Sequence, residues 1–161
     1  MFSLKNKKAL VTGASRGIGK GIVLALAKQG ADVVINYHSK KEEAETVVNQ
    51  IKKMGQKSFS IQADVSSVDE VINMFKKLKD SWGELDILVN NAGIATFVDS
   101  FEKMTEEVWD KTLDINLKGQ FLCIREAIKL MKPGAKIVNI ASIASGGVGV
   151  GFSRVPHYTA S

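Results

Sequence analysis

Short apolar runs alternate along this chain with longer amphipathic stretches. Lys7 to Thr12 reads as a strand, and Ile18 to Gln29 carries apolar residues at Ile22, Val23, Leu26 and Ala27, one face of a helix that Gly30 closes. Val33-Val34-Ile35 is a continuous β-branched run, the mark of a strand buried on both faces. Ser39 and Glu42 are spaced as a capping box for a helix to Met54, ended by Gly55, and Ser67 and Glu70 are spaced the same way for a helix through Lys79. Further strands are expected at Ser58 to Ala63, Asp86 to Val89 and Lys136 to Ile140. Between the last two, Thr105 to Met131 is a long helical tract that we expect to divide near Asp114 to Leu117.

Strands alternating with helices imply right-handed crossovers and helices on both faces of a parallel sheet. We expect one α/β unit over residues 1–161, a doubly wound parallel sheet of about five strands, with its ligand at their carboxyl ends. With 45% hydrophobic and 24% charged residues, the composition suffices for one domain with a real core. The 22 basic and 17 acidic residues leave a net charge of +5. The lysines sit on helical patterns without interleaved aromatics, so they read as solvated faces and not as a nucleic-acid site. Cys123 is the one cysteine and lies in an apolar run, which points to a buried thiol and a reducing compartment. No run approaches membrane-span length and Met1 to Lys8 has no apolar leader core, so a cytoplasmic protein is expected, with no metal site.

The chemistry gathers after the strands. Thr12-Gly13-Ala14-Ser15-Arg16-Gly17-Ile18-Gly19 joins the first strand to the first helix, as a Rossmann-like dinucleotide site requires. Helix N–H groups and the dipole favour a phosphate there. Gly13 is expected to permit the turn, Gly17 to let backbone approach a pyrophosphate, and Gly19 to let helix and strand pack closely. Gly13 to Gly17 also spells G-x-S-x-G, the nucleophile elbow of serine hydrolases. Against that reading, no earlier strand supplies an oxyanion loop, and neither His38 nor His157 has an obvious acid partner. After strand two, Asn36-Tyr37-His38-Ser39-Lys40 offers no carboxylate for a ribose 2′-hydroxyl, whereas Arg16 and Lys40 suit a 2′-phosphate; NADP is therefore favoured over NAD. Asp64-Val65 follows strand three, and its carboxylate is placed to accept from an adenine amino group. Asn90-Asn91-Ala92-Gly93 follows strand four, and Ala141 to Ser145 follows strand five.

These stations, together with Asn116 in Asp114-Ile115-Asn116-Leu117-Lys118-Gly119, Ser142 and Tyr158, stand in the order of the short-chain dehydrogenase/reductase family, which the whole chain resembles. Within it the chain is most similar to reductases of 3-oxoacyl groups on acyl carrier protein and to bacterial glucose dehydrogenases. The resemblance implies hydride transfer between nicotinamide C4 and a small-molecule carbonyl or alcohol, possible acyl-carrier-protein linkage, and a homo-tetramer or homo-dimer. Tyr158 would exchange the proton, Ser142 would hydrogen-bond the reacting oxygen, and Asn116 would hold a water. Cofactor contacts would come from Gly13, Ala14, Ser15, Arg16, Gly17, Ile18 and Gly19, from Tyr37, His38, Ser39 and Lys40, and from Asp64, Val65, Asn90, Ala92 and Gly93.

Ser142 directly follows strand five but stands 16 residues before Tyr158. Ser145, at 13, fits the family spacing and remains the alternative. A free tyrosine ionises near pH 10, about three units above neutrality, so the phenolate needs a fixed cation beside it. The family supplies a lysine four residues after the tyrosine. That position follows Ser161, so the natural protein is expected to continue; a non-catalytic nucleotide-binding module is the other possibility.

Overall fold

A computed structural model describes residues 3–142 and 155–161. Five parallel strands, β1 (Lys8–Val11), β2 (Asp32–Tyr37), β3 (Ser58–Gln62), β4 (Ile87–Asn90) and β5 (Lys136–Asn139), lie in the order β3-β2-β1-β4-β5. The connecting helices are α1 (Gly17–Lys28), α2 (Lys41–Lys53), α3 (Val68–Trp82), α4 (Glu106–Leu113) and α5 (Gly119–Ala127), and α6 (Pro156–Ala160) follows β5. The order reverses at β1, so β2 and β4 both flank it and their carboxyl ends open a crevice above it.

The period of two along each strand divides the core. Ala9, Val11, Val33 and Ile35 face one side and bury Val23 and Ala27 of α1 with Val47 and Ile51 of α2. Leu10, Val34 and Leu88 face the other, against Val71, Phe75 and Leu78 of α3 and Leu122 and Cys123 of α5. Both faces of β2 are covered, as its unbroken β-branched run requires. Burial pushes the Cys123 thiol up to about 12, so it packs as an inert apolar group.

Two local expectations need adjustment. The tract after β4 divides into α4 and α5 where expected, at 114–118, but through a π-turn and not a loop. Residues 113, 114, 118 and 119 all keep right-handed helical dihedrals, and Asp114–Lys118 forms a π-turn in which the Gly119 N–H bonds to the Asp114 carbonyl. One extra residue is absorbed in the helix without a loop, which re-aims the side chains around Asn116. The Ser39 capping box does not form either: Lys40 stands at the N-cap of α2 with no side-chain cap. Ser67 does cap α3, accepting from the Glu70 N–H, although the Glu70 carboxylate turns away to accept from the Asp64 N–H at 2.9 Å.

Charges lock the amino ends of the central strands. Asp86 accepts from Lys7 Nζ and from the Lys8 N–H, both at 2.9 Å, while Glu84 bridges Lys8 and Lys132 at 3.1 and 2.6 Å. Hydrogen bonds and attraction from Lys132, then Lys8, bring the Glu84 carboxyl from 4.5 down to about 2. A carboxylate lowered in the folded state stabilises fully above its unfolded value, so this contribution is lost as pH falls from about 4.5 towards 2. Urea midpoints taken from neutrality down to this range should therefore decline less steeply in Glu84→Gln than in the parent protein.

Candidate active site

The turn from β1 into α1 is shaped by what cannot fit. Gly13 and Gly17 adopt φ of +61° and +57°, in the left-handed region. A Cβ on Gly19 would lie 2.5 Å from Asn91 Nδ2 and 2.6 Å from the Gly13 carbonyl, so close packing is met against the turn itself. Ala14 and Ser15 are buried, Arg16 and Ile18 exposed. Arg16 occupies the N-cap of α1 without a side-chain cap bond, and the first turn carries no acidic residue. An uncapped helix N-terminus beside a cation is a site for an anion.

Three carboxamides hold this crevice in shape. Buried Asn36 accepts from the Gly13 N–H at 3.2 Å and donates to the Ala63 carbonyl at 2.9 Å, tying the turn to β2 and β3. Asn91 donates to the carbonyls of Thr12 and Gly13 at 2.9 and 3.1 Å, and the Thr12 hydroxyl accepts from the N–H groups of Asn91 and Ala92. Asn116, in the π-turn, accepts from the Ile94 N–H at 2.9 Å and donates to the Ile94 carbonyl at 3.0 Å and to Ser161 Oγ at 2.9 Å. Both Asn116 N–H groups are thus engaged, which leaves Oδ1 as its side-chain position for a water. Asn90 instead donates sideways to Asn139 of β5 at 2.9 Å.

Asn116, Ser142 and Tyr158 line one cavity of about 480 Å³ with Ile18, Ala92 and Gly93. Three residues far apart in the chain, from the π-turn, the segment after β5 and α6, thus line one space beside the helix that follows the glycine turn. Gln120 and Ser161 also line it. Ser145 lies outside the described residues.

The other end of the crevice is polar. Tyr37 is 5% exposed and packs in the core, whereas His38, Ser39 and Lys40 are exposed. Asp64 Oδ1 accepts from the N–H and hydroxyl of Ser66, and Oδ2 lies 3.7 Å from His38 Nε2. His38 therefore does have an acidic neighbour, one that sequence spacing does not reveal. Val65 is buried where a Cβ on Gly119 would meet it at 2.8 Å. The hydrolase reading gains nothing from this arrangement. Ser15 is 8% exposed, His157 is fully buried, and among the described residues neither histidine hydrogen-bonds Ser15.

Comparison with known proteins agrees with this arrangement. A family model described as short chain dehydrogenase matches residues 7–161. The chain is 50% identical over 146 residues to the 3-oxoacyl-[acyl-carrier-protein] reductase FabG of Staphylococcus aureus (strain Mu50 / ATCC 700699), covering 89% of this chain and 58% of that protein. It is 43% identical over 148 residues to the trihydroxynaphthalene reductase of Colletotrichum orbiculare, covering 92% of this chain and 52% of the relative. A short chain dehydrogenase from Burkholderia cenocepacia J2315, solved in complex with NADP, superposes with a TM-score of 0.93 at 37% identity, over 98% of this chain and 63% of that one. The chain thus spans little more than half the length of the curated relatives it matches.

No motif marks the brace at Asn36, although an amide closing an apolar run must find partners once buried. Asn36→Ala leaves the Gly13 N–H and the Ala63 carbonyl without it. Urea denaturation should show a loss of about 1–3 kcal/mol.

Proposed function

Because the chain belongs to the short-chain dehydrogenase family, we propose that the protein is an NADP(H)-dependent oxidoreductase acting on a carbonyl or secondary alcohol. The observation that carries this reading is the convergence of Asn116, Ser142 and Tyr158 on one cavity next to the glycine turn. The turn fits the cofactor: its helix is uncapped, Gly17 leaves open space where a side chain would stand, and Arg16 supplies a cation. Lys40 and His38 at the end of β2 suit a 2′-phosphate, and the absence of a carboxylate in 36–40 disfavours a bare ribose hydroxyl. Asp64 and the backbone at Val65, Asn90, Ala92 and Gly93 complete the dinucleotide contacts.

When bound, the nicotinamide supplies or accepts the hydride. Tyr158 donates its phenolic proton to the carbonyl oxygen in reduction and takes it back from the alcohol in oxidation. Ser142 hydrogen-bonds that oxygen and holds it against the phenol. Asn116 fixes the wall of the cavity through Ile94. Exposed Ile18 gives the cavity mouth an apolar surface suited to a flat ring. The 50% identity with the Staphylococcus reductase supports a 3-oxoacyl thioester on acyl carrier protein as the substrate class. Exposed Leu117, Phe121 and Ile128 support a homo-oligomer. The single buried cysteine fits a cytoplasmic location.

Two variants of the full-length protein test the reading. Tyr158→Phe should lower kcat with an acetoacetyl thioester and NADPH by at least about 100-fold, with the NADPH Kd unchanged within about twofold. A comparable loss of binding would refute the role. Arg16→Ala should weaken NADP by about tenfold or more while NAD changes little, since a charge-assisted contact to the 2′-phosphate is lost. Titration by intrinsic fluorescence checks both affinities, and equal losses would remove the basis for the cofactor choice.

A further inference from the structure

Resting on the oxidoreductase reading above, we infer that Ser161 is a positioning residue that couples the Asn116 carboxamide to the turn bearing Tyr158. Its hydroxyl accepts from Asn116 Nδ2 at 2.9 Å and donates to the Tyr158 carbonyl at 3.0 Å. Asn116 is in turn clamped at both ends by the Ile94 backbone, at 2.9 and 3.0 Å. Ser161 thus ends a continuous relay from the segment after β4, through the π-turn, to α6.

The geometry gives the hydroxyl work that few other side chains can do. A hydroxyl accepts and donates in the same short reach. Asn116 is 6% exposed, so an amide hydrogen without a partner there is costly. Within this segment the Thr159 N–H and hydroxyl bond to the Val155 carbonyl and the Ser161 N–H to the Tyr158 carbonyl, bonds that shape the turn but do not fix its place on the cavity wall. The Ser161 hydroxyl joins its own N–H on the Tyr158 carbonyl, and the bond from Asn116 docks that turn on the wall of the cavity. Ser161 also lines the cavity that Tyr158 enters. A small displacement of the phenol reduces productive alignment with the reacting oxygen without altering the dinucleotide contacts.

The test uses the full-length protein with an acetoacetyl thioester and NADPH, kcat being normalised to NADPH-binding stoichiometry. Ser161→Ala should lower kcat about five- to tenfold, as expected for one lost neutral hydrogen bond. KM and NADPH affinity should stay within about twofold, and the solvent deuterium isotope effect on kcat should rise as proton transfer becomes more limiting. Ser161→Thr should restore most of the rate. In an Asn116→Ala background, Ser161→Ala should cost little more, because the relay is already cut. Unchanged kcat and isotope effect in Ser161→Ala, no recovery in Ser161→Thr, or fully additive losses in the double variant would each overturn the inference. Should Ser161→Ala fail to fold, Ser161→Cys, with its weaker hydrogen bonding, must fall between the parent and zero activity; parental activity would overturn the relay. Tyr158→Phe run alongside separates the two readings. If it stays inactive while Ser161→Ala is normal, only the relay falls; if it turns over normally, the oxidoreductase reading falls first.

Discussion

Where a parallel sheet ends, its backbone N–H and carbonyl groups lose their ladder partners, and a site at the carboxyl ends must satisfy them without filling the crevice. This protein does so with primary amides, which carry a donor and an acceptor side by side, as a peptide group does. Asn36 pairs with the turn after β1, Asn91 with the carbonyls of that turn, and Asn116 with both backbone groups of Ile94. Each amide thus supplies partners for backbone that has left the strand ladder. Gly19 then occupies a position where Asn91 leaves no space for a side chain.

The π-turn belongs to the same solution. A regular helix through 114–118 would carry each later residue to a different angular position; the wider turn brings Asn116 into register with Ile94 while α4 and α5 remain one rod. One face of the tract can therefore pack Leu122 and Cys123 into the core while the π-turn presents Asn116 to the cavity. Fold stability and site geometry are met on one element because the helix changes its pitch locally.

How much of this could be read beforehand depends on the physical range of each signal. The strands, their parallel pairing and the core faces follow from period and β-branching, so β2 and α1 lie within a residue or two of where the pattern puts them. The convergence of Asn116, Ser142 and Tyr158 was legible only through the family's motif order, since no local rule links positions that far apart. Four features were hidden. The π-turn has no proline or glycine mark within it, so its composition reads equally as a break. The Ser39 cap is absent because α2 begins one residue later than the box requires, with Lys40 at the N-cap, and spacing alone does not settle which residue leaves the strand direction first. The Asn36 brace and the His38–Asp64 approach are contacts across the sheet, fixed by strand order and invisible to spacing along the chain.

The two ends of the sheet are held by different chemistry, and the difference is itself functional. At the amino ends, carboxylates and lysines pair directly, with Glu84 bridging Lys8 and Lys132 and Asp86 binding Lys7. Such pairs tolerate solvent and need no precise cavity. At the carboxyl end near the glycine turn the braces are neutral, and the charged residue of the turn itself is Arg16. A carboxylate used as the brace in place of Asn36 or Asn91 would add negative potential where a helix N-terminus is open to an anion, and would oppose it at short range. An ammonium would attract the anion but has no acceptor for the Gly13 N–H. At Asn36 the amide alone satisfies both backbone partners and leaves the field of the helix unopposed, so the choice of asparagine there follows from hydrogen bonding and electrostatics taken together.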